Sequence, residues 1–238
     1  IRREICLTLE QMGIRPESSH HEEGPGQNEI DFRYSDPMAA ADNALTFRAV
    51  VNTIAVQSGL AADFSPKPLP GQPGNGMHIN ISAKGDGGRD LLPAVMAGIL
   101  EKCAEITLFL NPCEESYRRL GHDKAPRYVT WSDENRSQLI RVPAAVGEQR
   151  RAELRSADVT ANPYLAYALL IYAGLYGIEK GLVLPPASDI NLYTALAEIL
   201  QTLQALPGSL EEAAALAATS AFVREHLPDS VLSAFSGR

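Results

Sequence analysis

Basic residues are scarce in this 238-residue chain, which has 21 lysines and arginines against 29 aspartates and glutamates and a formal charge of −8. A protein surface that neutralises many phosphates needs the opposite balance, so we expect no nucleic-acid partner. Long apolar runs are missing too, because Tyr164–Ala173 falls well short of the roughly 20 residues that a membrane span requires. We therefore expect neither a nucleic-acid-binding protein nor an integral membrane protein.

Cysteine is also rare. The three cysteines, Cys6, Cys103 and Cys113, are an odd number without a CxxC spacing, which argues against both a disulfide framework and a zinc ribbon. A reducing, cytoplasmic location is expected. The chain begins Ile-Arg-Arg-Glu with no initiator Met and no apolar signal segment, and we interpret it as a piece of a longer protein.

Apolar spacing and capping residues predict the helices. They are expected up to Gly13, from the Asp36-Pro37 cap to Gly59, over Leu91–Leu110, from the Asn162-Pro163 cap to about Lys180, and in a helical tail over about 189–238.

Alternation of apolar and polar residues predicts strands over Gln27–Tyr34 and Gly76–Ala83, with a further extended piece over Ala62–Lys67. The stretch from Asn111 to Leu154 is expected to contain short strands and loops. Since these strands lie in hairpins among helices and do not alternate strictly with them, we predict an α+β fold with a mainly antiparallel sheet.

A hairpin carries the densest cluster of metal-ligand side chains. Gly24-Pro25-Gly26 forms its turn, and the two arms bring Glu22 and Glu29 together on one face. Converging carboxylates repel each other unless a cation or proton neutralises them, so Mg²⁺ or Mn²⁺ is a natural occupant. The alternative is a solvated acidic hairpin with a purely structural role.

Two further segments carry polar residues on one strand face. His78 alternates with Ile79 and shares its face with Asn80 and Ser82, which fits a ligand or substrate wall, although a lone histidine on a strand is more often a hydrogen-bonded structural residue. Alternation also groups Arg151, Glu153 and Arg155, with Ala152 and Leu154 behind them.

The group of Arg151, Glu153 and Arg155 has two interpretations. It is either a surface ladder of salt bridges or a metal-ligating carboxylate between two cations that bind the oxygens of an anion. Further arginines are concentrated nearby in an otherwise acidic chain, which favours an anionic substrate. They are Arg118, Arg119, Arg136 and Arg141.

Motifs throughout the chain resemble those of a known family, the catalytic domain of glutamine synthetases. They occur in family order from about Glu17 to Gly181. The matching runs are Ser19-His20-His21-Glu22, Gly26-Gln27-Asn28-Glu29-Ile30, Ala41-Asp42-Asn43, Pro66-Lys67-Pro68, Gly76-Met77-His78, Ser116-Tyr117-Arg118-Arg119-Leu120, Asn135-Arg136-Ser137, Ile140-Arg141-Val142-Pro143, Glu153-Leu154-Arg155 and Ala161-Asn162-Pro163-Tyr164-Leu165. The resemblance implies that residues 1–238 are the C-terminal part of such a domain, with a mainly antiparallel sheet and helices packed on one side.

The resemblance also implies roles for individual residues. The metal ligands would be Glu22, Glu29, His78 and Glu153. The glutamate carboxylates and the transferring phosphate would be held by Arg119, Arg136 and Arg155, with the backbone of Gly74. The ATP site would include Glu17, Ser82, Arg136 and Arg141.

The implied reaction is ATP-dependent ligation of glutamate and ammonia through a γ-glutamyl phosphate, with Mg²⁺ or Mn²⁺ and arginines neutralising the phosphoryl group. By the same resemblance, further metal carboxylates and a β-grasp domain from a neighbouring subunit complete each active site. A homo-oligomer acting on small molecules, with active sites shared between subunits, is expected.

Three positions depart from the family pattern. Lys124 stands where the family has a flap glutamate that helps to deprotonate ammonium, and a charged lysine accepts no proton. Asn80 replaces a second histidine and Pro73 replaces an asparagine. These changes leave two alternatives to the ammonia ligase: a ligase that makes γ-glutamylamides from an organic amine, and a catalytically silent assembly or binding protein.

Overall fold

The computed structural model describes residues 1–144 and 150–236. Its helices are α1 (Arg2–Gln11), α2 (Pro37–Gln57), α3 (Leu92–Leu110), α4 (Glu114–Arg119), α5 (Pro163–Glu179), α6 (Ala197–Leu200), α7 (Leu210–Thr219), α8 (Ala221–His226) and α9 (Asp229–Ser236). Its strands are β1 (Pro16–His21), β2 (Asn28–Phe32), β3 (Ile79–Ile81), β4 (Trp131–Ser132), β5 (Ile140–Arg141) and β6 (Ala152–Leu154). The chain divides into a first unit of Ile1–Phe64 with Pro68–Pro73 and a second unit of Ser65–Lys67 with Gly74–Arg238.

The first unit combines α1 and α2 with the antiparallel hairpin of β1 and β2. Helix α2 begins as expected, because Asp36 accepts a hydrogen bond from the Ala39 N–H and Pro37 occupies the first helical position. A small apolar core lies between the elements, and the hairpin contributes its apolar face to it. The buried core residues are Ile5, Leu9, Ile14, Val50 and Ile54.

The second unit contains a four-stranded sheet in the order β3-β6-β5-β4. Its core includes much of α3 and α5, which pack tightly against each other. Glycine is required at their crossing, since a Cβ on Gly98 would lie 2.0 Å from the carbonyl oxygen of Ala173 and 2.9 Å from the Cα of Gly177. This dense core supports the sheet that carries the candidate site.

The predicted fold class is confirmed: the protein is α+β. Antiparallel pairs join β1 to β2, β3 to β6 and β6 to β5, while β4 and β5 pair in parallel. No helix among the described residues has the length and apolar character needed to cross a membrane.

Three local expectations need correction. No strand forms over Ala62–Lys67, where Pro66 lacks the N–H that a sheet ladder uses. Helix α4 appears where loops and strands were expected, because Cys113 and Ser116 form a reciprocal capping box at its start.

The third correction concerns the tail, which becomes helical only from Ala197, since residues 189–196 form no helix. This stretch instead bonds to the loop after β4, through Gln138 Nε2 to the Ile190 carbonyl at 2.8 Å and the Leu192 N–H to Ser137 Oγ at 3.0 Å. Residues 237 and 238, the end of the expected tail, lie outside the described residues.

Candidate functional site

The hairpin of the first unit gathers three potential ligand side chains on one face. His20 lies directly opposite Glu29 in the β1–β2 register, and Glu22 follows His20 by two residues. The Nε2 atom of His20 lies 3.1 Å from Glu22 Oε1 and 4.0 Å from Glu29 Oε1. One ligand atom from each of the three lies within 4.8 Å of the other two. Glu22 and Glu29 thus meet across the turn, and His20 joins them.

Electrostatics at this face favour a cation. Burial, the charge of Asp31 and then the charge of Glu22 raise the pKa of Glu29 above its usual range. A bound divalent ion would relieve this repulsion. His20 was not among the predicted metal ligands, although its two-residue spacing from Glu22 already indicated that the two side chains share one face of the strand.

The centre of the second unit's site is Glu153, which is 5% exposed. Strand β6 lies between β3 and β5, so Glu153 has Asn80 on one side and Arg141 on the other in register. Its Oε1 atom accepts from Arg155 Nη1 at 2.6 Å, and His78 Nδ1 lies 3.1 Å from the same oxygen. Its Oε2 atom accepts from both Nε and Nη2 of Arg141, each at 2.6 Å.

These contacts stabilise the ionised carboxylate. Burial by itself would raise the pKa of Glu153, but the hydrogen bond and charge of His78 and the charges of Arg155 and Arg141 lower it to about 2. Burial lowers the pKa of His78, assisted by the charge of Arg155 and opposed by its hydrogen bond to Glu153. At neutral pH the pair is therefore a carboxylate and an imidazole biased towards its neutral form, which is the form that binds metals.

The donor set fits a hard divalent ion. His78 offers an imidazole nitrogen and Glu153 offers carboxylate oxygens, and Nδ1 of the first lies 3.1 Å from Oε1 of the second. Carboxylate oxygens with an imidazole nitrogen suit Mn²⁺, and carboxylates suit Mg²⁺. Each unit thus presents part of the ligand set, and convergence of Glu22, Glu29, His78 and Glu153 on one site stays a prediction.

Arg119 is held from two sides. Its guanidinium, in a residue 3% exposed, donates to the carbonyl oxygens of Ser156 at 2.7 Å and Arg155 at 3.1 Å. A Cβ on Gly74 would lie 3.0 Å from Arg119 Cγ, and one on Gly76 would lie 2.7 Å from Arg119 Nη2. The two glycines therefore leave the space that this side chain occupies. Burial lowers the pKa of Arg119 to about 10, so the residue is charged at neutral pH.

Arg155 connects the carboxylate to two loops. Its Nε donates to the carbonyl of Arg136 at 3.1 Å, and its Nη2 reaches the carbonyl of Lys124 at 3.5 Å. The Arg136 carbonyl also accepts from the Tyr193 hydroxyl at 3.2 Å, while Arg136 itself is exposed. Tyr193, which the sequence assigned only to a helical tail, therefore contacts the backbone of a predicted site residue.

Two further predicted residues, Glu17 and Ser82, are exposed in their respective units. Glu17 is exposed at a β-bulge between Pro16 and Ser18 in the first unit. In the second unit, Ser82 is exposed just after β3.

Arg151 and Glu153 do not form the ladder that alternation allowed. Arg151 donates to Asn80 Oδ1 at 3.0 Å, whereas the guanidinium groups on Glu153 are those of Arg141 and Arg155. Because Glu153 is buried together with its neighbours on β6, the alternative of a surface salt-bridge ladder is wrong.

Comparison with known proteins agrees with the geometry. A family model described as the catalytic domain of glutamine synthetase matches residues 1–237. Glutamine synthetase of Methanosarcina mazei is 40% identical over 98% of this chain and 56% of its own length. That of Staphylococcus epidermidis is 44% identical over 88% of this chain and 50% of its own. A solved GmaS/ADP complex has a TM-score of 0.87 and 29% identity, covering 99% of this chain and 57% of that chain.

The fold and the site thus define an α+β domain that contains a buried carboxylate bound by arginines and side chains able to ligate a divalent metal. The chain belongs to the glutamine synthetase catalytic-domain family. It spans about half the length of the curated relatives that it matches.

Proposed function

We propose that the whole protein is an ATP-dependent carboxylate–amine ligase that activates the γ-carboxylate of glutamate or a close analogue as an acyl phosphate. The observation that carries this proposal is the buried Glu153, which is bound by His78, Arg141 and Arg155. This carboxylate, kept ionised by its neighbours, would hold a divalent cation, and a cation together with nearby guanidinium groups suits a reaction that moves a highly charged phosphoryl group. Family membership supports the same reaction class.

In this proposal the arginines handle the anionic groups. Arg119 and Arg155 are buried and fixed by hydrogen bonds, so they bind carboxylate or phosphoryl oxygens without first ordering a flexible side chain. The exposed Arg136 and half-buried Arg141 reach nucleotide phosphates, with Glu17 and Ser82 along the ATP site. The GmaS/ADP complex supports an adenine nucleotide.

A divalent ion, Mg²⁺ or Mn²⁺, would be held by Glu22, Glu29, His78 and Glu153. When bound, it supplies charge neutralisation to the transferring phosphoryl group. Within the chain, Glu153 remains ionised and His78 stays biased towards the neutral form, so both present lone pairs at neutral pH.

The identity of the amine depends on the loop that carries Lys124. Asp123 adopts a left-handed backbone conformation, with a φ of 53°, and forms an ion pair with Lys67. The carboxylate next to Lys124 is thus paired with a cation of the same unit. With Asp123 held in this ion pair, its carboxylate does not simply replace the flap glutamate that the resemblance expects, and γ-glutamylamides made from an organic amine are the second candidate product class.

The experiment measures phosphate release from ATP by the whole protein over a panel of acids and amines with Mg²⁺ or Mn²⁺. We expect release that needs an acid of the glutamate type and an amine, and a loss of more than about a hundredfold in Glu153→Gln. Glu225→Gln, which changes an exposed glutamate of α8, is the matched control and should retain the parent's rate.

Absence of acid-dependent release with every amine, in a folded parent that binds ATP, would refute the ligase and favour the silent assembly or binding protein. The wider context that we propose for the active protein is a cytoplasmic homo-oligomer with active sites shared between subunits. Sedimentation with and without Mn²⁺ and ATP tests the assembly.

A further inference from the structure

Asp158 is a completely buried carboxylate that has no role in the reaction described above. It is 0% exposed and follows Leu154, the last residue of β6, by four positions. Its Oδ1 atom accepts from the Thr160 N–H at 2.9 Å and the Thr160 hydroxyl at 2.5 Å. Burying a charge of this kind costs free energy of folding unless the charge interacts with hydrogen-bond donors or an opposite charge.

The other carboxylate oxygen of Asp158, Oδ2, is connected to Arg119 by a series of hydrogen bonds. Asn111, also 0% exposed, uses one side-chain amide nitrogen to donate to Asp158 Oδ2 and to the carbonyl of Ser156, both at 2.9 Å. The same Ser156 carbonyl accepts from Arg119 Nη1 at 2.7 Å. A continuous hydrogen-bonded path therefore runs from Asp158 through Asn111 and the Ser156 carbonyl to the Arg119 guanidinium.

Charge supports the same connection. The negative charge of Asp158 raises the pKa of Arg119 and so opposes the larger lowering caused by burial. Within residues 1–144 and 150–236, the Arg119 guanidinium donates to carbonyl oxygens and forms no ion pair with a carboxylate. Asp158 is therefore a counter-charge that acts at a distance and leaves the guanidinium's remaining N–H groups available.

We propose that Asp158 is the positioning residue of Arg119: through Asn111 it fixes the Ser156 carbonyl, and this carbonyl orients the buried guanidinium towards an anionic substrate. A direct ion pair would occupy the guanidinium, whereas this indirect arrangement holds it while sparing donors for a carboxylate. The substrate part of the inference rests on the proposed function.

Two variants separate positioning from simple stability. Asp158→Asn removes the charge with little change of shape. Thr160→Val removes one donor to the same carboxylate but retains the charge and the Asn111 contact. Hydrogen exchange of the Arg119 guanidinium, followed by NMR and assigned with Arg119→Lys, is measured in the 238-residue chain. We expect exchange about tenfold faster in Asp158→Asn, as for a weakened hydrogen bond to a charged group, and within about twofold of the parent in Thr160→Val.

The second measurement uses the whole protein. We expect Asp158→Asn to raise KM for the acid substrate about tenfold while kcat changes less than about threefold, because a misplaced Arg119 weakens substrate binding. Equal guanidinium exchange in Asp158→Asn and Thr160→Val would overturn the positioning role. A parent without ligase turnover, but with the expected exchange pattern, would refute the proposed function and leave the positioning of Arg119 supported.

Should Asp158→Asn fail to fold, Asn111→Ala interrupts the same path and must accelerate the exchange of Arg119. The parent alone also provides a test. Its Arg119 guanidinium must exchange at least about tenfold more slowly than that of the exposed Arg136, since a buried hydrogen-bonded group is protected. Comparable exchange at the two arginines would overturn the proposal without any variant.

Discussion

Replacing Glu153 with glutamine removes one negative charge from the middle of the second unit's sheet. The residue is 5% exposed, and its pKa is about 2 compared with an ordinary value of 4.5. Each pKa unit corresponds to about 1.4 kcal/mol, so the ionised carboxylate contributes about 3 kcal/mol to the free energy of unfolding at neutral pH. Removing one partner of a buried ion pair costs a similar amount, about 3–5 kcal/mol. We therefore expect the free energy of unfolding of Glu153→Gln to be lower than that of the parent by about 3 kcal/mol or more.

The pH dependence of this loss has a definite sign. Folding lowers the pKa of Glu153, so its contribution is fully present above the unfolded value of 4.5 and disappears as the pH falls towards about 2. The difference in unfolding free energy between parent and Glu153→Gln should therefore be largest above about pH 5 and should decrease as the solution is acidified.

Urea unfolding followed by tryptophan fluorescence measures this difference. The chain has one tryptophan, and Trp131 lies on β4 in the sheet that carries Glu153. Glu225→Gln, at an exposed position of α8, controls for the general loss of an acidic charge. A difference below about 1 kcal/mol at neutral pH, or one that does not change between about pH 6 and pH 2.5, would refute the reasoning.

Three further predictions concern packing and activity. Gly98→Ala should destabilise the chain by about 1–3 kcal/mol, because the new Cβ would lie 2.0 Å from the Ala173 carbonyl oxygen. Thermal unfolding measures this loss of stability, and the control variant Glu101→Ala, on the exposed side of α3, should unfold at nearly the parent's temperature. Lys124→Glu in the whole protein should increase ammonia-dependent phosphate release, since it removes a cation that repels ammonium, and a parent that already prefers ammonia would contradict this. The 238-residue chain alone should show no ligase turnover with ATP, Mg²⁺, glutamate and ammonium, because the resemblance assigns further metal carboxylates to a segment outside it; measurable glutamine formation would contradict that assignment.

The family and much of the local structure were readable from the sequence. The ordered motifs predicted the family that the comparison confirms. Two caps followed by proline located the starts of α2 and α5, at Asp36 and Asn162. The Gly24-Pro25-Gly26 turn predicted a hairpin that brings Glu22 and Glu29 to one face, and the structure groups them there with His20. These features depend on hydrogen bonds and side-chain directions within a few residues, which a local pattern records.

Only the tertiary structure decided how the charged residues are paired. Alternation could group Arg151 with Glu153, but the sheet order places Arg141 of the neighbouring strand on that carboxylate and turns Arg151 towards Asn80. Likewise, residues 189–196 bond to the loop after β4 and form no helix, although their composition favoured one.

Asp158 illustrates the reason. Its connection to Arg119 passes through Asn111, which lies 47 residues away in the chain. Such contacts depend on which strands become neighbours and on how much water the folded core excludes, because burial is what makes an unpaired charge costly. Neither quantity is expressed in the spacing of residues along a single segment, and so the pairing of these buried charges was determined by the fold.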